Sequence, residues 1–425
     1  MVRKFIRLKA FVFAIAVFLP IFPGAQPEFE PADSKWLETL FQSKGSSFFK
    51  QIIQQPEKYR YQIVYSQIDR NRKGIPHITT HYYHFDKARY FYPASLVKFP
   101  ACLLALQKLS KLESFGVKPE TPVSFDSAWF CQTRSGRDET QISGWPSIDA
   151  FIKKMMLVSD NESYNRTYEF LGYDYIAQQL SDKGFTDTRI IQRFEFPCDT
   201  LSAYITNPVC FFNGKDTLYY QPAATAEKRL KNPYGDVYMG SKYYDALGNL
   251  YPFPRSFMFN NYLPADELHR MLISFYLPGA VQEDKRWDIK PEYADLLKKY
   301  MGMWPRECRN PAYGYADHYK KYLMMGTGAA LTDTADIRIF NVVGRAFGLL
   351  ADCAYIVDFK HNVEFCVTAI IYCNEEDVLN SDRYQYETVG LPFLTELGQL
   401  LYHEEMQREK RYPFSNSDVK ALFGQ

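Results

Sequence analysis

Tyr92-Pro93-Ala94-Ser95-Leu96-Val97-Lys98-Phe99-Pro100 places a serine and a lysine three residues apart at the expected start of an apolar helix running to about Leu112. Residues i and i+3 share a face of a helix, so the two side chains would meet. A serine hydroxyl is a weak nucleophile at neutral pH and needs a base within hydrogen-bond reach. Lysine serves as that base only where its ammonium is desolvated or flanked by other cations, so that its pKa falls towards neutrality. Val97, Phe99, Ala101, Leu103 and Leu104 supply an apolar setting. The helix N-terminus adds positive potential at Ser95. Pro100, inside the helix, should bend its first turns.

Ser47-Phe48-Phe49-Lys50 repeats the same spacing. From ordinary residue frequencies such a pair arises about once or twice by chance in a chain this long, so the surrounding elements must decide between the two. Ser34 to Gln55 reads as one amphipathic helix stopped by Pro56. Tyr59–Ile68 and Ile78–Phe85 read as a hairpin. Phe151–Gly172 is a second long helical region, and Phe185 to Glu195 leads into a loop with Pro197 and Pro208. Gly214–Pro254 is tyrosine-rich and irregular, and Pro264–Tyr300 returns to helical patterning. Ile339–Val343, Ala354–Phe359 and Val363–Tyr372 read as strands, the last two joined by Lys360-His361-Asn362, before a final helix Leu391–Glu409.

Strands at both ends with helices between predict an α+β fold. An antiparallel sheet flanked by helices and built from both chain ends (32–92 and 335–410) would carry an inserted all-helical lobe (93–334) with an irregular insertion near 214–260. Residues 411–425 form a tail. A cleft between lobes is where a site belongs.

The 425 residues carry a net charge of +1 with no basic run, which argues against nucleic acid as the main partner. The 17% aromatic content suits either a carbohydrate or peptide binder or an aromatic-rich core. Arg3, Lys4, Arg7 and Lys9 precede an apolar run from Ala10 to Phe22 and then Pro23-Gly24-Ala25. This is the pattern of a secretory signal peptide, residues 1–25, and the apolar run is shorter than the roughly 20 residues of a membrane span. A periplasmic or secreted mature chain without a span is expected, a retained anchor being the alternative. The eight cysteines could pair in an exported chain, but with no CxxC and no histidine cluster a zinc site is not expected. Cys102, Cys353, Cys366 and Cys373 lie in apolar runs, where buried free thiols are common.

Ser95-Leu96-Val97-Lys98 on a helix, Ser159-Asp160-Asn161 at the head of a second helix, and the terminal strand, hairpin and helix together resemble the class A β-lactamases and their relatives among the penicillin-binding D,D-peptidases, over most of the mature chain. The resemblance implies Ser95 as the acylated nucleophile and Lys98 as the residue accepting or relaying its proton. Ser159 would pass a proton to the leaving nitrogen, and Asn161 would bind the substrate's amide side chain and the lysine. Ser163-Tyr164-Asn165 offers a competing frame one turn later; Asn165, grouped with the substrate-binding residues, matches a position that braces a loop in the family. Arg193-Phe194-Glu195 resembles the Arg-aromatic-Glu of the class A Ω-loop, which makes Glu195 the candidate deacylation base.

The chain departs from the family pattern in three places. Asp199 stands where an asparagine is usual, the loop before Asn207-Pro208-Val209 looks short, and no acidic partner for Arg193 is visible in it. The Lys-Thr/Ser-Gly motif of the cleft strand is reduced to Val342-Val343-Gly344, while Gly326-Thr327-Gly328 keeps a threonine without the lysine. Arg345 or Arg338 would have to bring the missing charge from another direction. The oxyanion hole depends only on backbone donors, those of Ser95 and of the residue after the glycine, Arg345. The expected function is an exported serine hydrolase, most directly a β-lactamase, with no cofactor or metal, acting on a small-molecule β-lactam or cell-wall peptide as a monomer. A D,D-peptidase, another cell-wall amidase or esterase, and a non-catalytic muropeptide or glycan binder are the alternatives.

Overall fold

Side chains alternate between two covered faces in the strands that organise the chain. Gln62–Arg70 (β1), Pro76–Tyr83 (β2), Ile337–Ala346 (β3), Leu349–Asp358 (β4) and Val363–Tyr372 (β5) form one sheet in the order β3-β4-β5-β1-β2. Every neighbouring pair is antiparallel. Along β5, Phe365, Val367, Ala369 and Ile371 join a core that includes Leu37, Phe41 and Leu397. Cys366, Ile370 and Tyr372 turn the other way, into a core with Leu268, Met271 and Phe99. Burial on both faces is why β3, β4 and β5 read as near-continuous apolar runs, whereas the edge strand β2 is half-exposed. The computed structural model describes residues 31–195, 202–328, 336–414 and 417–423. The expected signal peptide and Asp199 lie outside them. The α+β class, a mixed arrangement of helices on an antiparallel sheet, is as the sequence implies.

Two expected helices are broken, each at a cap. Ser34 to Gln55 holds α1 (Lys35–Lys44) and α2 (Ser47–Ile53), because Ser46 accepts from Phe49 N and starts a new helix. A side chain on Gly45 would meet the Phe41 carbonyl at 2.6 Å, so the chain turns there in close contact with the end of α1. Ser47 and Lys50 thus ride on α2, whose Phe49 stacks on Phe393 in the core that does not contain Phe99. The helix following Ser95, α3 (Lys98–Leu112), is preceded by a tight 3-10 turn, Ala94–Val97. Pro100 falls in its first turn, where N–H groups have no intrahelical acceptor, so the expected bend is replaced by that turn.

The second break makes the site. Phe151–Gly172 is α4 (Ile148–Val158) followed by α5 (Asn161–Leu171). Ser159 ends α4 in the left-handed region (φ 57) and Asp160 caps α5 by accepting from Ser163 N at 2.7 Å. Helices α6 (Ala265–Tyr276) and α7 (Pro291–Gly302) follow, and α8 (Leu391–Gln407) packs on the sheet. Within 214–260, short strands pair Tyr238–Met239 with Arg255–Ser256, and Lys242–Tyr244 with both Leu250–Tyr251 and Val378–Leu379.

Candidate active site

β3 is an edge strand and lies against the Ala94–Val97 turn. A Cβ on Gly344 would stand 2.7 Å from the Pro93 carbonyl oxygen and 3.0 Å from Leu96 Cγ, so only glycine permits that approach. Every second N–H of an edge strand points away from its one partner, here β4, and Arg345 lies next to the turn in this register. Ala94 has φ 46, a conformation costing a non-glycine residue on the order of 1–3 kcal/mol and often found at functional sites.

Lys98 is fully buried and gathers four oxygens. Its Nζ lies 2.9 Å from Ser95 Oγ, 2.9 Å from Ser159 Oγ, 2.7 Å from Asn161 Oδ1 and 2.5 Å from the Ser159 carbonyl. The carbonyl and the amide oxygen can only accept. A neutral amine would donate its two hydrogens to them and keep a lone pair for a hydroxyl proton. Burial pushes the Lys98 pKa down to about 6, the Lys320 cation pushes the same way, and Asp160 and Glu195 oppose. Near neutrality Lys98 is therefore mostly the free amine, able to take a proton from Ser95.

The sequence reading did not anticipate Lys320. No side-chain cation comes from Val342-Val343-Gly344, and Arg338 is spent on Glu307 at 3.0 Å. Gly326-Thr327-Gly328 turns to α8 instead, with Thr327 N donating to Thr395 Oγ1. Lys320, on the short turn Asp317–Lys320, donates from Nζ to the carbonyls of Met155 (3.2 Å) and Met156 (3.4 Å) in the last turn of α4. Burial draws its pKa down to about 7. Asn341 on β3 fixes the Lys320 backbone by donating Nδ2 to its carbonyl at 2.7 Å. Asn341 in turn is held by Lys321 Nζ at 2.7 Å and by Asp352 Oδ1 at 2.8 Å. The signal available in sequence was the pair Asn341 and Asp352, polar residues set among apolar neighbours within their strands.

The loop ending at Glu195 is pinned to α5. Asn165 donates Nδ2 to the Phe194 carbonyl and accepts from Phe194 N, both at 2.8 Å, so its amide is spent as a brace and not turned to the cleft as a substrate contact. Ser163 is buried and its N–H serves the Asp160 cap, so Ser159 and Asn161 meet Lys98 while the competing Ser163-Asn165 frame does not. Arg193 does have an acidic partner: Glu169 of α5 forms a buried ion pair with it, contrary to the expectation drawn from the loop alone. Glu195 itself is exposed, with φ 50, and lines a cleft of about 690 Å³ together with Ser95, Asn161, Phe194 and Arg345. Arg345 pairs with Glu387 at 3.1 Å and lies 4.2 Å from the centre of the Tyr386 ring. Gly344 contributes its lack of a side chain.

An α+β protein with a cleft serine bonded to a buried lysine beside a sheet edge is the class these observations define. Residues 48–227 match the model of the β-lactamase enzyme family. Among solved structures the chain is similar to a β-lactamase from Sphaerobacter thermophilus, at 10% identity and a TM-score of 0.45 over 85% of this chain and 98% of that one. A β-lactamase from Xanthomonas campestris matches at 13% identity and 0.45, over 83% and 96%. A PBP-A acyl-enzyme complex with penicillin G matches at 12% identity and 0.46, over 88% and 98%. No curated protein matches the sequence.

Proposed function

We propose that the chain is an exported acyl-transfer hydrolase that forms an ester at Ser95 and hydrolyses a cyclic or open amide, with a β-lactam the first substrate to test and a cell-wall peptide the second. The observation that carries this reading is the Lys98 amine, buried and within 2.9 Å of both the Ser95 and Ser159 hydroxyls. Ser95 Oγ attacks the carbonyl carbon while Lys98 takes its proton. The carbonyl oxygen becomes the oxyanion, held by the N–H groups of Ser95 and Arg345. The C–N bond then breaks as the proton on Lys98 passes through Ser159 Oγ to the leaving nitrogen. Asn161 orients Lys98 and the substrate amide. Water activated by Glu195 cleaves the ester and returns the proton to Ser95.

The same reading divides the unit 32–410 into the sheet lobe and the inserted lobe, with the cleft between. Export is supported by Cys131, which is disulfide-bonded, a state favoured outside the reducing cytosol. No described helix is long and apolar enough to cross a membrane.

Intact-mass measurement after incubation with a penicillin and, separately, a fluorophosphonate tests the proposal. The expected result is a covalent adduct that maps to Ser95 and disappears in Ser95→Ala and Lys98→Ala. Absence of an adduct with both probe classes would point to a binding protein.

A further inference from the structure

The pairing of Tyr238–Met239 with Arg255–Ser256 brings Arg255 into the wall of the cleft that holds Ser95 and Glu195. Its guanidinium lies 5.3 Å from the ring centres of both Phe257 and Phe347. Phe347 occupies the β3–β4 turn with φ 56, a position dictated by that hairpin. Stacking on rings orients the planar fork and leaves its in-plane N–H donors for another partner. Among the described residues no carboxylate pairs with Arg255 and no hydrogen bond uses its donors. Arg345, the other arginine of the cleft, is already paired with Glu387.

The side of the cleft is also defined. Tyr92 contacts the same two rings, at 5.8 Å from Phe257 and 5.1 Å from Phe347. Asn260, on the segment that follows Arg255, donates Nδ2 to Gln192 Oε1 at 2.6 Å, and Asn261 Oδ1 accepts from Ile191 N at 2.8 Å and from Gln192 N at 3.0 Å, so this segment is bound to the loop that ends at Glu195. Arg255 thus shares the cleft wall with the loop of the group assigned to deacylation, whereas the leaving group departs through Lys98 and Ser159.

We infer that Arg255 binds an anionic group, a carboxylate or an anion of like geometry, on the acyl portion of the substrate, the part that stays on Ser95. The inference rests on the acyl-enzyme reading above. It makes Arg255 a specificity-determining residue supplied by the tyrosine-rich insertion.

Two thioesters with one common leaving group test it, one carrying a glutaryl acyl group and the other its neutral methyl ester, with Ser95 acylation followed by intact mass. The wild type should prefer the glutaryl ester by about 10- to 100-fold, the range of a charged hydrogen bond. Arg255→Ala should abolish the preference, Arg255→Lys should restore part of it, and Arg255→Glu should invert it. A ratio cannot invert through loss of folded protein. Equal rates in the wild type, no reaction with either ester while a fluorophosphonate still labels Ser95, or an unchanged ratio in Arg255→Glu overturns the assignment and leaves the nucleophile standing. An Arg255-dependent preference for a carboxylate moved to the leaving group overturns its acyl side. Failure of every probe to label Ser95 removes both readings.

Discussion

Lys320 Nζ donates to the Met155 carbonyl at 3.2 Å, and the same oxygen accepts the backbone N–H of Ser159 at 3.1 Å. A cation on the last carbonyls of a helix is favourable, and here it fixes the residue that presents the second hydroxyl to Lys98. Lys320 therefore has two consequences, one of position and one of charge.

The charge can be separated from the position by the pH profile. A neighbouring cation disfavours protonated Lys98 and so lowers its pKa; removing that cation must raise it. Acylation requires neutral Lys98, so the wild-type rate of Ser95 acylation should climb with a midpoint near pH 6, the value to which Lys98 is lowered. In Lys320→Gln the midpoint should move to higher pH, with the largest rate loss near pH 6 and recovery by pH 9. Lys320→Arg should hold the midpoint near its original place. A loss uniform across pH would assign Lys320 to packing alone, and an unmoved midpoint with unchanged rate would remove it from the site.

What the sequence made legible was what lies close together in it. Ser95 and Lys98 share one turn and are readable as a pair, and Ser159 with Asn161 is recognisable because a helix break must carry cap residues. The strands of the sheet are apolar enough to place, though Ser46 acting as an N-cap was read as helix interior. Lys320 was not legible, since the family pattern puts the cation on the strand and here the lysine arrives from a turn ahead of it. Glu169 looked like any helix glutamate until the fold set it against Arg193, and Arg255 lies in a stretch without periodicity. Lys320, Glu169 and Arg255 act through long-range contacts that no local pattern encodes, whereas the Ser46 cap is a local one.

Gly344 tests how closely the edge strand must approach the nucleophile turn. The obstacle to a side chain there is the Pro93 carbonyl at 2.7 Å, which is backbone and cannot rotate aside. Gly344→Ala should therefore push β3 away from Ser95, at a cost of about 1–3 kcal/mol as for other overpacked sites. Fluorophosphonate labelling of Ser95 should slow by at least about tenfold, because the outward N–H groups of β3 move with it. Wild-type labelling in a stably folded Gly344→Ala would show that the approach is unimportant to the reaction.

In the proposed scheme Glu195 decides whether the acyl-enzyme turns over. It reaches the cleft at the end of a loop whose neighbouring residue, Phe194, is clamped on both backbone groups by Asn165. Acylation in this scheme uses Lys98, and deacylation uses Glu195 to activate water, so the two steps should respond to different substitutions. Glu195→Gln keeps the shape and loses the basicity. It should still acylate Ser95, show a burst without steady turnover, and accumulate a long-lived adduct with whichever ester or lactam the wild type hydrolyses, with deacylation slowed by about 10²–10⁴-fold for a positioned base. Asn165→Leu should act the same way more mildly. It strands the Phe194 N–H and carbonyl at about 1–3 kcal/mol for a buried group left unpaired, and it lets the loop carry Glu195 out of place. If Glu195→Gln turns over at the wild-type rate, water must be activated elsewhere, and Lys98 with Ser159 becomes the pair to change next. If it loses acylation as well, Glu195 acts on the first step, which the field it exerts on Lys98 would allow.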